Sequence, residues 1–380
     1  MMNSREIVLK AVCFESPPRV PIFWSGEGRM SDVVGVAFKF GGGWVSANAR
    51  PRFWEPKVEG EDEWHCVWRR PSTGRTMGQV KAHPMCDWEK LEEYQFPETR
   101  VEERFEGVEK VIKEAHARGK FVMGTLGLGF WEVYRGVRGT VAALCDLFVS
   151  RGKMERLIDR IVDFGTEMIK EYGDLEADGV SWADDWGTQK SGMVSPKMWR
   201  DIFKPRYRRW TEAAKKGGMQ TFFHSCGCVY DYISDMIDVG VDMLNLNQPE
   251  LLGIDNLGRD FGGKVCFVTN VDLQKTLARG IPEDIAKEVK HLISALGCFD
   301  GGLILEGWNS DILVTDGTGW DSGGYLRNYS TECADTMYKA YVEYGKYPRK
   351  ISQHACDCRL SQLARGGSSR LHLQTEDESS

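Results

Sequence analysis

The sequence predicts an α/β protein whose mostly parallel sheet closes into a single barrel. Three observations carry this prediction. From residue 179 onward, short apolar runs alternate with amphipathic stretches at spacings of about 25 to 45 residues, the rhythm of repeated strand–helix units. The runs end abruptly in polar residues: Gly179-Val180-Ser181-Trp182-Ala183 in Asp184-Asp185, Thr221-Phe222-Phe223 in His224-Ser225-Cys226, and Gly302-Leu303-Ile304-Leu305 in Glu306. No linker-like composition divides residues 1–348, and α/β barrels of this size commonly form one domain.

The elements follow in order. Residues 3–14 place Ile7, Val8, Ala11 and Val12 at helical spacing, and Pro17-Pro18-Arg19 ends that helix. Val20-Pro21-Ile22-Phe23-Trp24 is the first expected strand, with Ser25-Gly26-Glu27-Gly28 as its loop. The stretch to Pro97 reads as irregular, except that Glu63-Trp64-His65-Cys66-Val67-Trp68 and Met77-Gly78-Gln79-Val80 alternate. They predict a hairpin joined at Pro71-Ser72-Thr73-Gly74, an N-terminal elaboration beside the barrel. His65 and Cys66 are adjacent there, so on a strand they point to opposite faces and do not make a metal pair.

A charged amphipathic helix is expected over 101–117, followed by the strand Phe121-Val122-Met123-Gly124-Thr125-Leu126-Gly127. Gly124, Gly127 and Gly129 have neither the order nor the spacing of a dinucleotide-binding loop. Helices are expected over 130–149 and 153–173, then the strand at 179–183. Ser195-Pro196 reads as an N-cap and first helical residue for a helix to Phe203, and a further helix covers 205–216. Beyond the run that ends at His224, a helix is expected over 229–239 and a strand over 242–246. The loop Asn247-Gln248-Pro249-Glu250 leads to a short helix at 253–261 and a strand at 265–268, which ends in Asn270-Val271-Asp272. Pro282-Glu283 opens a helix that ends near Leu296, the last strand covers 302–306, and a C-terminal helix covers 329–344. Residues 349–380, rich in Ser, Gly, Arg and Glu without apolar periodicity, read as a disordered tail. His354 and Cys356-x-Cys358 within it read as solvated residues rather than a metal tract.

The formal net charge of -7 weighs against nucleic acid and anionic membrane as partners; the expected partner is a small-molecule substrate. No apolar segment approaches the roughly 18 residues that span a bilayer. The start, Met1-Met2-Asn3-Ser4-Arg5-Glu6, lacks the apolar core of a signal peptide, so a cytoplasmic protein is expected. The 11 cysteines are odd in number and scattered through expected core elements, which favours reduced thiols over a disulfide framework.

Chemistry concentrates at Phe222-Phe223-His224-Ser225-Cys226-Gly227-Cys228. His224 and Cys226 are two apart on a strand, so they share a face and can converge on one metal ion while Ser225 faces away. A bare His-x-Cys is more commonly a hydrogen-bonded histidine beside a buried thiol. Position decides between the two, because the C-terminal strand ends of parallel α/β folds are where sites are built.

Several ordered motifs resemble the uroporphyrinogen decarboxylase superfamily. They are Asp62-Glu63-Trp64, residues 130–159, Asp184-Asp185-Trp186-Gly187-Thr188-Gln189, Ser195-Pro196-x-x-Trp199-Arg200-x-x-Phe203-x-Pro205 and Phe223-His224-Ser225-Cys226-Gly227. Gly240-Val241-Asp242-x-Leu244-Asn245, Gln248-Pro249 and Gly301-Gly302-Leu303-Ile304-Leu305 continue the series, so the resemblance covers residues 4–348. It implies a single distorted (β/α)8 TIM-type barrel. True uroporphyrinogen decarboxylases grip substrate carboxylates with an Arg-Gln-Ala-Gly-Arg motif after the first strand. Here Trp24-Ser25-Gly26-Glu27-Gly28-Arg29 stands in that place, with one arginine beside an acid, which disfavours a polycarboxylate.

The resemblance is closer to the corrinoid-dependent methyltransferases of the superfamily, which pass a methyl group between a corrinoid and a thiol or related acceptor. Their zinc site resembles His-x-Cys plus a distant cysteine. His224 and Cys226 match the first two ligands. The late cysteine is absent, and Glu306 is the expected substitute, with Glu250 and Cys228 as alternatives. Zinc would lower the pKa of a bound thiol. No Asp-x-His-x-x-Gly motif is present, so the corrinoid is expected on a partner protein. Asp184 and Asp185 are the expected catalytic residues, one of them facing the mouth to orient the substrate or a metal-bound histidine. Gln248 and Trp308 are the expected cofactor-binding residues, while Trp24 and Trp186 are expected to pack under loops. The resemblance also suggests a homodimer. Two alternatives stand beside this reading: a metal-independent decarboxylase or lyase anchored by Asp184, and a non-catalytic binding barrel.

Overall fold

The computed structural model describes residues 2–26, 28–42, 51–69, 78–309 and 329–347. Its strands are β1 (Ile22–Ser25), β2 (Val33–Ala37), β3 (Val67–Arg69), β4 (Gln79–Ala82), β5 (Phe121–Leu128), β6 (Gly179–Ala183), β7 (Gln220–His224), β8 (Met243–Leu246), β9 (Cys266–Thr269) and β10 (Leu303–Trp308). Eight of them form one sheet in the order β1-β10-β9-β8-β7-β6-β5-β2, and every pair in it is parallel. β1 and β2 meet across the remaining seam through Ser31 and Asp32, just before β2, and the Trp24 N–H donates to Ser31 Oγ at 3.1 Å. The Asp32 N–H donates to the Ile22 carbonyl at 2.7 Å, and the Ile22 N–H donates to Asp32 Oδ2 at 2.8 Å. The sheet is therefore a nearly closed (β/α)8 TIM barrel.

The helices are α1 (Ser4–Val12), α2 (Val108–Ala117), α3 (Phe130–Arg138), α4 (Thr140–Val149), α5 (Arg151–Asp174), α6 (Pro196–Met198), α7 (Lys204–Lys216), α8 (Tyr230–Asp238), α9 (Pro249–Leu252), α10 (Ile254–Phe261), α11 (Thr276–Arg279), α12 (Pro282–Leu296) and α13 (Thr331–Tyr344). Period-two alternation along the strands divides the apolar residues between two cores. Phe23, Val33, Phe121, Met123, Phe222, Met243, Cys266, Val268 and Ile304 fill the barrel, and Val8 and Val12 of α1 pack with them. Their neighbours in sequence, such as Trp24, Val122, Phe223, Leu244, Phe267 and Leu305, face the helix layer instead. Any polar residue on the inward row near a strand's end consequently faces the mouth.

The hairpin β3–β4 is antiparallel, as expected, while its join at Pro71-Ser72-Thr73-Gly74 lies outside the described residues. So do Glu27 and the tail with His354, Cys356 and Cys358. Strand β2 falls within the stretch read as irregular. No helix separates it from β1, and Gly35 interrupts its short apolar run, so the strand–helix rhythm is missing there. The single helix expected over 130–149 divides at Gly139, whose φ of 88° breaks the helix into α3 and α4. The two helices expected over 196–216 form one, because a π turn at Trp199–Phe203 absorbs Pro205, which has no N–H to donate. Among the described residues every cysteine is a free thiol, and no helix is long and apolar enough to cross a membrane.

Candidate metal centre

The site grows from the paired ends of β6 and β7. Ala183 is in register with His224, so the residues beyond each strand leave the sheet side by side. Inward parity continues through Ala183 to Asp185 and through Phe222 and His224 to Cys226. Ser225 points the other way, where its Oγ accepts the Trp186 N–H at 3.1 Å, as the alternation requires. Two glycines let the loops touch. A Cβ on Gly187 would lie 2.5 Å from the Gly227 carbonyl carbon, and one on Gly227, at φ +78°, would lie 2.3 Å from the Gly187 oxygen. Backbone bonds from Gly187 to the Cys226 carbonyl (3.1 Å) and from Cys228 to the Thr188 carbonyl (2.7 Å) hold the contact.

This contact places Asp185 over the His-x-Cys turn. Its Oδ1 accepts the Cys226 N–H at 2.9 Å and lies 3.7 Å from His224 Nε2, while Cys226 Sγ is 3.3 Å from the same nitrogen. Among the described residues these three form the one group of His, Cys and carboxylate donors with ligand atoms within 4.8 Å of one another. A tetrahedral ion with bonds of about 2.0–2.3 Å separates its ligand atoms by roughly 3.3–3.8 Å. The donor set and these two separations therefore fit zinc.

The neighbours of His224 set its tautomer. Asn245 Nδ2 donates to Glu306 Oε2 and to the Val268 carbonyl, both at 2.8 Å, so Asn245 Oδ1 is the amide's acceptor. That oxygen lies 2.5 Å from His224 Nδ1, which must therefore carry the proton. The Nε2 lone pair is left facing Cys226 and Asp185. Glu306 stands at the far end of this relay, behind the histidine. Glu250 is exposed on α9, Cys228 is half-buried, and neither joins the group.

The other expected site residues are distributed as follows. Asp184 is fully buried behind the wall, where Tyr207 Oη donates to its Oδ2 at 2.6 Å and the Glu132 N–H to its Oδ1 at 2.8 Å. Gln248 supports the turn, its Oε1 accepting the Gly227 N–H at 3.0 Å. Trp308 lies buried on the inward row of β10, and its carbonyl accepts the Tyr329 hydroxyl at 3.2 Å. Trp24 packs on Tyr338 and Tyr341 of α13, and Trp186 on Trp131 and Phe203 in the helix layer. Arg29 is taken up by Asn309 and Asp335 and lies over the Trp24 ring.

The mouth is electronegative. Burial pushes the Cys226 thiol well above its ordinary range, and the carboxylates of Asp185, Glu132 and Glu306 push it further. Burial likewise raises Glu132, on the first turn of α3, to about 7, with the nearby Asp185 charge adding to the rise and Arg135 opposing it. A divalent cation bound here would offset this clustered negative charge. Asp185 as a metal donor, Asn245 and Glu132 were not among the residues singled out for these roles in the sequence. Asn245 had a readable signal, as the one inward polar residue in the apolar run Met243-Leu244-Asn245-Leu246. Glu132 had a weaker one, an acid in the otherwise apolar Phe130-Trp131-Glu132-Val133-Tyr134.

Comparisons with known proteins agree with this architecture. A methyltransferase from Methanosarcina mazei superposes with a TM-score of 0.62 at 17% identity, covering 90% of this chain and 99% of that one. A D-psicose 3-epimerase from Clostridium cellulolyticum H10 (TM-score 0.41, 11% identity, 68% and 86% coverage) and an endo-β-1,4-xylanase from Gloeophyllum trabeum (0.39, 12%, 65% and 83%) match less well. No curated protein matches the chain in sequence. The family model described as Uroporphyrinogen decarboxylase (URO-D) matches residues 72–305, more than half of the 380. The chain belongs to the uroporphyrinogen decarboxylase family.

Proposed function

We propose that this protein is a methyltransferase that moves a methyl group between a corrinoid on a partner protein and a thiol, at a zinc centre held by Asp185, His224 and Cys226. The observation that carries the reading is the convergence of these three donors, with both separations from His224 Nε2 at tetrahedral values. Asp185 takes the place that a late cysteine would have filled. Three protein ligands are the number a catalytic zinc uses, with its fourth position left for water or substrate. When bound, zinc supplies a thiolate at neutral pH by lowering the pKa of the coordinated thiol.

The chain's own groups have distinct tasks in this reading. Asn245 and Glu306 fix the ring and tautomer of His224. The Cys226 N–H orients Asp185, and Gln248 holds the turn between the two ligands' loops. Asp184, with both oxygens engaged, ties β6 to α3 and α7 rather than reaching substrate. The engagement of Arg29 by Asp335 and Asn309 leaves it poorly placed to grip a polycarboxylate, which favours methyl transfer over porphyrinogen decarboxylation. The fold likeness to a methyltransferase supports the same choice.

The test is methyl transfer from free methylcobalamin to 2-mercaptoethanol, followed by the cobalamin spectrum. Transfer is expected to require zinc and to disappear in Cys226→Ala. Zinc-free protein that decarboxylates a small carboxylated substrate at an undiminished rate would contradict the reading.

A further inference from the structure

Asn270 follows β9 and is fully buried, yet neither its Nδ2 nor its Oδ1 has a hydrogen-bond partner. Leaving a buried amide group unpaired is costly, and native folds rarely tolerate it. The other orphans among the described buried side chains are single N–H groups of tryptophan or arginine. Asn270 lacks partners for a donor and an acceptor at once.

Its placement explains where partners would come from. Cys266 and Val268 face into the barrel and Val271 packs in the outer layer, so Asn270 continues the inward row toward the mouth. Val268, one inward position below, is the residue whose carbonyl receives Asn245 Nδ2. Through the register His224–Asn245–Val268, Asn270 stands two residues beyond the level of His224, level with Cys226 two strands away and with Glu306 on the adjacent β10, on the same inward face.

We infer that Asn270 is a substrate-binding residue that takes a neutral group able both to donate and to accept a hydrogen bond, such as a hydroxyl or a primary amide. An anionic carboxylate or sulfonate offers acceptors only and would leave Oδ1 unpaired. It would also approach the carboxylates of Asp185, Glu132 and Glu306. The site therefore selects thiols with a neutral polar tail over thiols with an anionic one. The thiol part of this statement rests on the methyl-transfer reading; the ligand-binding role of Asn270 does not.

The experiment compares the full chain with its Asn270→Leu and Asn270→Asp variants. Without added ligand, Asn270→Leu is expected to melt at or above the wild-type temperature, because it removes two unpaired polar atoms at similar volume. In calorimetry on zinc-loaded protein, 2-mercaptoethanol is expected to bind at least about tenfold more tightly than mercaptoacetate, and both variants to lose most of that preference. Equal binding of the two thiols overturns the inference. So does an Asn270→Leu protein that melts lower and binds 2-mercaptoethanol unchanged, which would make Asn270 a structural residue. Acetamide and acetate separate this claim from the metal reading. If no thiol binds, the metal reading fails. The Asn270 claim then stands only if acetamide binds in preference to acetate and Asn270→Leu abolishes that binding.

Discussion

His224 Nδ1 lies 2.5 Å from Asn245 Oδ1, and Asn245 passes the contact on to Glu306 through an Nδ2–Oε2 bond of 2.8 Å. The relay makes Glu306 a positioning residue for the proposed metal. Partners of this kind typically alter metal affinity by about 10- to 100-fold when removed. Asn245→Leu is expected to weaken zinc binding within that range while the far-ultraviolet circular dichroism stays unchanged. Glu306→Gln is expected to be milder, because its amide oxygen still accepts from Asn245. Competition against a chelating indicator measures both. A Glu306→Gln loss as large as that of His224→Ala would instead make Glu306 a direct ligand.

The Gly187–Gly227 contact brings Asp185 to Cys226, so it is predicted to be required for the site and not for the barrel. Gly187→Ala would place a methyl group 2.5 Å from the Cys228 nitrogen and from the Gly227 carbonyl carbon. The β6 and β7 loops must then separate. The expected result is a folded protein with zinc affinity reduced at least about tenfold. Wild-type affinity in this variant would show that the loops have slack.

At the β1–β2 seam, Arg19 grips Asp32 through two bonds of 2.6 Å. Burial alone would raise the Asp32 pKa, but the Arg19 guanidinium, the Ser4 hydroxyl and the Ile22 N–H outweigh it and hold the carboxyl below its ordinary value. Asp32 therefore contributes stability that is present above its unfolded pKa and lost as pH falls through the depressed folded value. Arg19→Met leaves a buried carboxylate without its cation and is expected to cost about 3 kcal/mol at pH 7. Urea denaturation measures this, and the gap between variant and wild type should narrow below about pH 4.

Asp62 behaves in the opposite way. Burial raises it to about 7 despite the N–H groups of Trp68 and Cys66 that bond to it. Between its unfolded pKa near 4 and about pH 7 the folded chain holds the extra proton, so this group makes stability fall as pH rises. The Asp62→Asn variant should lose that fall, and its stability relative to wild type should increase across the window. A pH-independent difference would mean that Asp62 is ionised throughout.

How much of this was legible in the sequence depends on the range of the signal. Alternation and strand-end polarity are local, so the barrel, the hairpin and the shared face of His224 and Cys226 could be read directly. The sequence also indicated that one of Asp184 and Asp185 would face the mouth, but not which. That choice is set by the register Ala183–His224 and by Tyr207, 23 residues on, which claims Asp184. Asp185 comes within reach of His224 and Cys226 because Gly187 meets Gly227, a contact between two loops with no local mark. Glu306 was drawn toward the metal by its place after the last strand. Its bond to Asn245, 61 residues earlier, places it one step back. β2 was missed because the chain omits the helix that would have announced it.

The proposed metal centre is built from one carboxylate, one imidazole and one thiolate. X-ray absorption at the zinc edge of the purified full chain tests it most directly, with wild type, Asp185→Ala and Cys226→Ala measured side by side. About one zinc per chain is expected, with a single sulfur neighbour near 2.3 Å and the remaining ligands nitrogen or oxygen. Cys226→Ala is expected to lose the sulfur shell and Asp185→Ala to bind zinc markedly more weakly. Protein that binds no zinc, or an Asp185→Ala variant with unchanged affinity and spectrum, would contradict it.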